Sequence, residues 1–263
     1  MTQLIRVERE DAIATVTMDR PDRRNAISIA MLEQLQHAFG ELGADESVRV
    51  IVLAGEGEHF CAGADFSDLT MMTPEGFDYG QSFEHAIASM TGCPVPIVAR
   101  VQGAALGAGC QIVGGADLAI AAEDARFGIP AAKLGLVINF ENVQRLVLSV
   151  GLKRAGEILY TGRELSGLEA AEWGLVNEAV PPRGLHARVH ELCQTIAAGA
   201  PLTTRAFKRG IHTVVKRLSL DREREPEAMA EFDAMASAAY SSADLAEGVR
   251  AFRERRPPRF EGR

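Results

Sequence analysis

Hydrophobic positions near the N-terminus follow strand and helix periods in turn. Apolar and polar residues alternate over residues 4–18, which predicts two short strands in a hairpin that turns at Glu10 and Asp11. Residues 28–42 repeat apolar side chains at helical spacing, and Ser28 is suited to cap that helix at its N-terminus. Residues 48–54, VRVIVLA, have the composition of a fully buried strand.

The middle of the chain continues this alternation. Residues 67–90 are mostly helical in pattern, with a break at Pro74. Residues 95–101 are β-branched and apolar apart from Arg100, and they run into a glycine-rich turn that opens a helix at about residue 107. Short strands are predicted at 117–121 and 125–127. Strands that alternate with helices indicate crossover connections and a mainly parallel sheet, so the predicted fold class is α/β.

The last part of the chain has a different pattern. From about residue 142 to Phe252 it is almost entirely helical in periodicity. We therefore divide the chain into an α/β core over residues 1–195 and a helical C-terminal region over residues 196–263, with an approximate boundary. The final ten residues, ERRPPRFEGR, are basic and interrupted by proline, which predicts a solvated end.

Composition narrows the class of protein. The 263 residues are 47% hydrophobic and 24% charged, enough for a large core in one α/β domain or in a domain with an appendage. The formal net charge of −8 disfavours nucleic acid or an anionic membrane surface as the main partner. Four scattered cysteines without a CxxC pair indicate reduced thiols in a cytoplasmic protein, and no metal site is expected.

No membrane-spanning segment is expected either. The N-terminal residues, MTQLIRVERED, contain no apolar run. The longest apolar region, residues 95–122, is interrupted by Arg100, Gln102, Gln111 and Asp117. We therefore interpret this region as protein core.

The glycine-rich turn carries the first indication of function. Gly107 and Gly109 allow the backbone to approach a ligand closely and expose its N–H groups. The helix that follows directs the positive end of its dipole to the same place, so the turn is suited to hold a negatively polarised oxygen. Gln111 lies about one helical turn further on, in a position to face the same space.

Four short motifs occur in order along the chain. They are RPDRRNAI at residues 20–27, FCAGADF at 60–66, GAALGAG at 103–109, and GR at 162–163 with AAEWGLV at 170–176. They resemble the RPxxxNAL turn, the FxAGAD loop, the GxAxGGG turn and the TG…A…GLV segment of the crotonase family, also called the enoyl-CoA hydratase/isomerase family. Ala108 replaces the middle glycine of the third motif. Each motif alone is weak, but their order and spacing identify the chain as a member of this family over nearly its whole length.

The resemblance implies a fold, an assembly and a ligand. The fold is a crotonase-like spiral of ββα units with a helical C-terminal trimerisation region, and the assembly is a homotrimer or homohexamer. The ligand or substrate is an acyl-CoA or enoyl-CoA thioester, with no further cofactor. Family members stabilise an enolate-like oxygen with two backbone N–H donors, which by position are those of Ala64 and Ala108. Each such donor typically contributes ~3–4 kcal/mol to transition-state stabilisation.

The resemblance also assigns residues to the CoA moiety. The backbone near Ala62 meets the adenine, and Ala26 lines the pantetheine. Arg24 is a candidate phosphate contact because a guanidinium fork fits phosphate, with a solvated turn arginine as an equal alternative. AFRERR at 251–256 is similar to the family's AFxEKR segment, in which Phe252 and Arg255 help to cover the adenosine end, often of a neighbouring subunit's ligand. A helix-packing aromatic is the alternative for Phe252.

The chain departs from the family pattern at the catalytic positions. Family hydratases carry two glutamates that position and activate a water, and by position these are Gln111 and Ala131. An amide hydrogen-bonds a water but cannot take its proton, and a methyl group does neither. The aliphatic residues 136–138, LVI, predict an acyl tunnel that is more apolar than usual. Glu141 is the one nearby carboxylate, and it either lines the pocket or caps a helix that starts near Asn142.

Three functions remain open on the sequence. The first is an acyl-CoA-binding protein of fatty-acid metabolism whose hydratase activity is weak or absent. The second is an active crotonase-type enzyme, a hydratase, an isomerase or another thioester-enolate enzyme, that uses Glu141 or substrate assistance. The third is a dinucleotide-binding module, which the strand–turn–helix glycines weakly favour, although Ile112 occupies the third glycine position.

Overall fold

The computed structural model describes residues 3–65, 77–218 and 226–262. Its strands are β1 (Ile5–Glu10), β2 (Ile13–Met18), β3 (Val50–Gly55), β4 (Ile97–Val101), β5 (Ala104–Leu106), β6 (Leu118–Ala122), β7 (Arg126–Gly128), β8 (Leu165–Ser166) and β9 (Glu178–Val180). Its helices are α1 (Ile29–Ala44), α2 (Phe77–Gly92), α3 (Ala108–Gly115), α4 (Ala131–Leu134), α5 (Phe140–Val150), α6 (Leu152–Thr161), α7 (Gly167–Trp173), α8 (Leu185–Ala198), α9 (Pro201–Leu218), α10 (Pro226–Tyr240) and α11 (Ala243–Glu254).

The described strands form two sheets. The larger sheet has the order β1-β2-β3-β4-β6-β9, and the smaller has the order β5-β7-β8. β1 and β2 pair antiparallel, with Ile5 opposite Met18, which confirms the predicted hairpin. The remaining neighbours in the larger sheet are parallel, which confirms the predicted sheet type. Every residue of β3 is buried, as expected for a parallel strand covered on both faces.

The chain divides into two compact units. The first comprises residues 1–127 and 165–214, and the second comprises residues 128–164 and 215–263. The larger sheet, α1, α2, α3, α7 and α8 belong to the first unit, whereas α4, α5, α6, α10 and α11 belong to the second. The contacts therefore group the chain differently from a single division near residue 195, and residues from 196 onward contribute to both units.

Several helix predictions are confirmed. The hydroxyl of Ser28 accepts a hydrogen bond from the Met31 N–H at 3.3 Å, so Ser28 caps α1 as expected. The helix after the glycine-rich turn begins at Ala108. Of the helix expected over residues 67–90, the part from Phe77 is present, and the predicted break at Pro74 lies outside the described residues.

Three short strands correct the sequence reading. β5 separates β4 from the glycine-rich turn, so β4 does not run directly into α3. β8 and β9 interrupt the part of the chain expected to be almost entirely helical. β9 pairs in parallel with β6 and forms the edge of the larger sheet. Strands of two or three residues are too short to show a period of two, so only their long-range pairing defines them.

The basic tail is largely exposed, which confirms the expected solvated end, but hydrogen bonds also hold it against α11. The carboxylate of Glu247 accepts hydrogen bonds from the Arg256 side chain and from the Arg259 N–H, the latter at 2.9 Å. The carboxylate of Asp244 accepts from the backbone N–H groups of Glu261 and Gly262 at 2.7 and 2.8 Å. Both acids lie on α11, so an acidic helix face holds the tail that follows it.

Candidate active site

The two turns assigned to an oxyanion site lie side by side in the first unit. The Cys61 N–H donates to the Ala104 carbonyl at 2.8 Å, and the Leu106 N–H donates to the Cys61 carbonyl at 3.0 Å. Cys61 also forms an isolated parallel bridge with Ala105. These bonds align residues 61–64 with residues 104–109, so the two motifs recognised in the sequence form one local structure.

Three glycines permit this close approach. Gly63 has φ +121°, and a Cβ on it would lie 3.3 Å from the Leu106 carbonyl oxygen. Gly107 has φ +53°, and a Cβ on it would lie 3.8 Å from the Gly63 Cα. A Cβ on Gly109 would lie 2.4 Å from the Cys61 carbonyl oxygen, far inside van der Waals contact. Glycine at position 109 is therefore required by the packing of the two turns.

The N–H groups of Ala64 and Ala108 are available as donors. Ala108 is the first residue of α3, where an N–H has no acceptor within the helix. Around Ala64, the Gly63 carbonyl accepts from the Ile27 N–H and the Asp65 N–H donates to the Ile27 carbonyl, each at 2.8 Å. The Ala64 N–H therefore points away from Ile27. Within the described residues, neither donor is hydrogen-bonded to protein.

This arrangement favours binding of a negatively polarised oxygen. The two free donors lie on adjoining turns, and the positive dipole end of α3 adds to their field. Gln111 lies in the first turn of α3, with its N–H donating to the Gly107 carbonyl at 3.1 Å. The Gln111 side chain is half-buried, and its carboxamide is bonded to no described residue. It is therefore available to a ligand or a water.

Cys61 does not supply a nucleophile to this site. Its Sγ accepts a hydrogen bond from the Gly63 N–H at 3.4 Å. Burial raises the pKa of the Cys61 thiol to about 12, so the thiol is protonated at neutral pH. The side chain packs against Gly109 and has a structural role.

The candidate CoA contacts in the N-terminal part of the chain lie on adjacent loops. The Ala62 N–H donates to the Arg24 carbonyl at 2.9 Å. Arg24 has φ +51° and an exposed side chain. The Arg20 guanidinium donates to the Ala26 carbonyl at 2.9 Å and pairs with the Asp65 carboxylate at 2.9 Å. The structure thus brings Arg24, Ala26 and Ala62 together, held by an Arg20–Asp65 pair that the sequence reading did not single out.

Ala131 and the loop after it belong to the second unit. Ala131 is half-buried and begins α4, and its carbonyl accepts from the Leu136 N–H at 2.9 Å. Leu136, Val137 and Ile138 are all half-buried. The Tyr240 hydroxyl donates to the Val137 carbonyl at 2.5 Å and ties this aliphatic loop to α10. Nothing in the sequence pattern distinguishes Tyr240, because its role depends on where a distant loop lies.

Glu141 lies in the first turn of α5. This helix begins at Phe140, two residues before the expected start, and the Asn139 side chain caps it by accepting from the Asn142 N–H at 3.2 Å. The half-buried Glu141 carboxylate therefore lies where negative charge interacts favourably with the helix dipole. The capping hydrogen bond itself is made by Asn139.

Phe252 and Arg255 lie at the end of α11 in the second unit. Phe252 is 57% exposed, and Arg255 is an exposed C-cap residue with φ +54°. The covering of an adenosine by these residues stays a prediction.

Over residues 3–65, 77–218 and 226–262, no three His, Cys, Asp or Glu residues are close enough to hold a metal ion. No helix in those ranges is long and apolar enough to cross a membrane.

Comparison with known proteins decides the family. Residues 8–263 match the family model described as Enoyl-CoA hydratase/isomerase. The chain belongs to this family. This enoyl-CoA hydratase/isomerase family member is 34% identical over 267 residues to Enoyl-CoA hydratase EchA19 of Mycobacterium tuberculosis, with 98% of this chain and 96% of that protein covered.

Solved structures agree with the family assignment. An enoyl-CoA hydratase/carnithine racemase from Magnetospirillum magneticum is 31% identical, with a TM-score of 0.80 and coverage of 100% of this chain and 97% of that chain. An enoyl-CoA hydratase from Mycobacterium avium subsp. paratuberculosis is 26% identical, with a TM-score of 0.84 and coverage of 99% and 100%. The crotonase α/β fold, with ββα units and C-terminal helices, is confirmed. The family assignment gives no support to the dinucleotide-binding interpretation.

Proposed function

We propose that this family member binds acyl-CoA thioesters of fatty-acid metabolism through the N–H groups of Ala64 and Ala108, and that it hydrates enoyl-CoA slowly or not at all. The observation that carries the proposal is the pair of free backbone donors on turns that Gly109 allows to touch. A thioester oxygen that gains negative charge is the acceptor such donors suit. Arg24, Ala26 and Ala62, on loops bonded to one of these turns, are proposed to contact CoA.

Slow hydration is proposed from the chemistry of two side chains. Hydration needs a group that takes a proton from water and a group that returns one to the substrate. Neither the carboxamide of Gln111 nor the methyl group of Ala131 transfers protons at neutral pH. The half-buried Leu136, Val137 and Ile138 support an apolar acyl chain as the group carried by the thioester.

The second candidate is an active crotonase-type enzyme, a hydratase, an isomerase or a catalyst of other thioester-enolate chemistry. It is favoured by the half-buried carboxylate of Glu141 in the first turn of α5, and by the similarity to EchA19, which is named an enoyl-CoA hydratase. Glu141 or the substrate itself would then supply the acid–base group. Efficient hydration of crotonyl-CoA by the unmodified protein would favour a hydratase of this second kind and contradict the first candidate.

The proposal predicts that acyl-CoA raises the unfolding temperature of the protein. A ligand that binds only the folded state stabilises it by mass action, by about 2.7 kcal/mol at a hundred times the dissociation constant. Thermal unfolding would be measured with CoA, short-chain acyl-CoA, long-chain acyl-CoA and free fatty acid. The increase in unfolding temperature should be larger with the acyl-CoA species than with free fatty acid. If no CoA species shifts the transition, the proposed function is wrong.

Two glycine variants on α3 sharpen this test. Gly109→Ala should lose the acyl-CoA response, because its Cβ forces the two donor turns apart. Gly114→Ala is the matched control, since a Cβ there meets nothing within 4 Å. The control should keep the full response, and its own stability should be equal or higher because alanine favours a helix over glycine. If acyl-CoA raises the unfolding temperature of both variants equally, the two turns do not form the acyl-CoA site.

We also propose that the protein is a homotrimer or homohexamer in the cytoplasm. The helix α9 carries four large apolar side chains that are 57–69% exposed: Phe207, Ile211, Val214 and Leu218. Their spacing places them on one stripe of the helix, and such a stripe favours burial against another chain. The four cysteines are buried free thiols, which supports a reducing compartment.

Light scattering tests this assembly. We expect a trimer or hexamer for the unmodified protein, and a shift toward monomer for Ile211→Glu, because the variant places a charge in the apolar stripe. Thr213→Glu is the control, since Thr213 is also exposed and lies about 200° around the helix from Ile211. A monomeric unmodified protein at micromolar concentration would contradict the assembly and the shared adenosine site.

A further inference from the structure

We propose a second binding site in the first unit, for a small phosphate-like oxyanion. A cavity of about 350 Å³ lies over one face of the larger sheet, lined by residues of β1, β2 and β4 and by His186 at the start of α8. None of its lining residues belongs to the turns that carry Ala64 and Ala108. The site is therefore separate from the proposed acyl-CoA site.

The strand register places four side chains of this face in one row. Arg6 lies opposite Thr17, Thr17 opposite Ala54, and Ala54 opposite Arg100. Residues that pair directly across strands project from the same face of a sheet. Two guanidinium groups thus flank a threonine and an alanine, whose small side chains leave space between them. This row forms the floor of the cavity.

Arg100 is the charge that lacks a partner. It is half-buried, and no described residue forms a hydrogen bond or an ion pair with its guanidinium. Burial lowers the pKa of Arg100, and the negative charge of Glu56 opposes this effect only in part. A half-buried cation of this kind costs free energy unless an anion approaches it. The same strand is otherwise apolar, so Arg100 is not needed to complete the strand pattern.

Three carboxylates, those of Glu8, Glu10 and Glu56, also line the cavity. Glu8 and Glu56 both pair with the guanidinium of Arg6. Glu10 projects from the same face of β1 but lies four residues from Arg6, about 13 Å along the strand. Arg6 therefore offers no free positive charge, whereas Arg100 forms no ion pair and interacts with Glu56 only at longer range.

Two further features favour an oxyanion with several acceptor oxygens. Thr17 is 3% exposed and lines the cavity two strands from Arg100, so its hydroxyl is a candidate for a second donor. His186 lies in the first turn of α8, a helix that has no acidic residue in that turn and no side-chain cap. The dipole of α8 adds positive potential at the side of the cavity where His186 lies. A guanidinium fork, a hydroxyl and a helix N-terminus together suit a tetrahedral anion.

Thermal unfolding of the full chain tests the site with inorganic phosphate as the probe. Phosphate and sulfate should raise the unfolding temperature above that in chloride or acetate at equal ionic strength. Arg100→Met should lose this increment, and Arg100→Lys should retain a small part, because lysine keeps the charge without the fork. Lys153→Met is the control: it removes the same charge from an exposed position on α6 and should retain the full increment.

Each outcome decides the proposal. It is overturned if phosphate gives no increment over chloride, if acetate matches phosphate, or if Arg100→Met keeps the increment. If Arg100→Met does not fold, Thr17→Val replaces it, and the phosphate increment should then be reduced. The acyl-CoA response should persist in the Arg100 variants, so the second site and the proposed function fail or succeed separately.

Discussion

A double variant, Gln111→Glu with Ala131→Glu, is expected to hydrate crotonyl-CoA roughly 10²–10⁴ times faster than the unmodified protein. The two glutamates restore groups that exchange protons with water, and the backbone donors of Ala64 and Ala108 are the groups proposed to polarise the thioester. Either single variant should stay close to the unmodified rate, because the family resemblance implies that the two glutamates work together and that their effects are not additive. Initial rates of loss of the enoyl thioester chromophore provide the measurement.

The matched control for this rescue is Gln111→Glu with Ala131→Gln. Glutamine reproduces the size of glutamate at position 131 without its acid–base chemistry. A double glutamate variant no faster than this control would contradict the assignment of the chemistry to these positions. Efficient hydration by the unmodified protein would also contradict it, and would favour an active enzyme that uses Glu141.

The variant Asp117→Asn is expected to lower the free energy of unfolding by about 3–5 kcal/mol, because it leaves a buried ammonium without its counter-charge. Lys208 is 5% exposed, and its Nζ lies 2.7 Å from the Asp117 carboxylate. The same carboxylate accepts from the Ile97 N–H at 2.8 Å and lies 2.9 Å from the Nε2 of His212. One side chain therefore links α9 to the beginning of β4.

Urea unfolding of Asp117→Asn, Lys208→Met and the double variant measures this coupling. The double variant should be more stable than the sum of the two single losses predicts, because neither buried charge is then left unpaired. Two carbonyl groups, those of Met90 and Val95, also accept from Lys208 at 3.1 and 3.0 Å, so Lys208→Met leaves acceptors unsatisfied. If the loss of unfolding free energy in the double variant equals the sum of the two single losses, a specific Asp117–Lys208 interaction is contradicted.

The same carboxylate gives the direction of a pH dependence. Burial opposes ionisation of Asp117, but the hydrogen bond with His212 and the charge of Lys208 outweigh it and lower the pKa of the carboxyl. A lowered folded-state pKa contributes stability that is present above the unfolded pKa of about 3.9 and is lost as pH falls through the folded value. The loss of folding stability at acid pH should therefore be smaller in Asp117→Asn.

Strands and helices that are defined by the pattern of adjacent residues could be predicted from the sequence. The β1–β2 hairpin, the start of α1 and the buried β3 each follow from a run of adjacent residues. The two donor turns were also recognised, because the motifs at 60–66 and 103–109 carry glycines at the points of closest approach. What the sequence could not show is that those turns touch, since their contact depends on pairing over more than forty residues.

Features that depend on long-range register could not be predicted. β9 has three half-buried residues and no alternation, so only its pairing with β6 defines it as a strand. The hydrogen bonds that hold the exposed tail against α11 could not be predicted, because nothing in its sequence identifies Asp244 and Glu247 as partners. Arg100 stands out in an apolar strand, but only the register reveals that it shares a row with Arg6.

The donors of the proposed oxyanion site belong to the peptide backbone, and this changes how the site responds to mutation. Residues 64 and 108 are already alanine, so an alanine scan leaves both N–H groups in place and reports the two positions as inert. Small side chains can be exchanged there during evolution without loss of the donors. Sequence divergence at these positions therefore says little about loss of function. Replacement of a single peptide N–H by an ester oxygen is the chemical change that removes one donor and leaves the side chain intact.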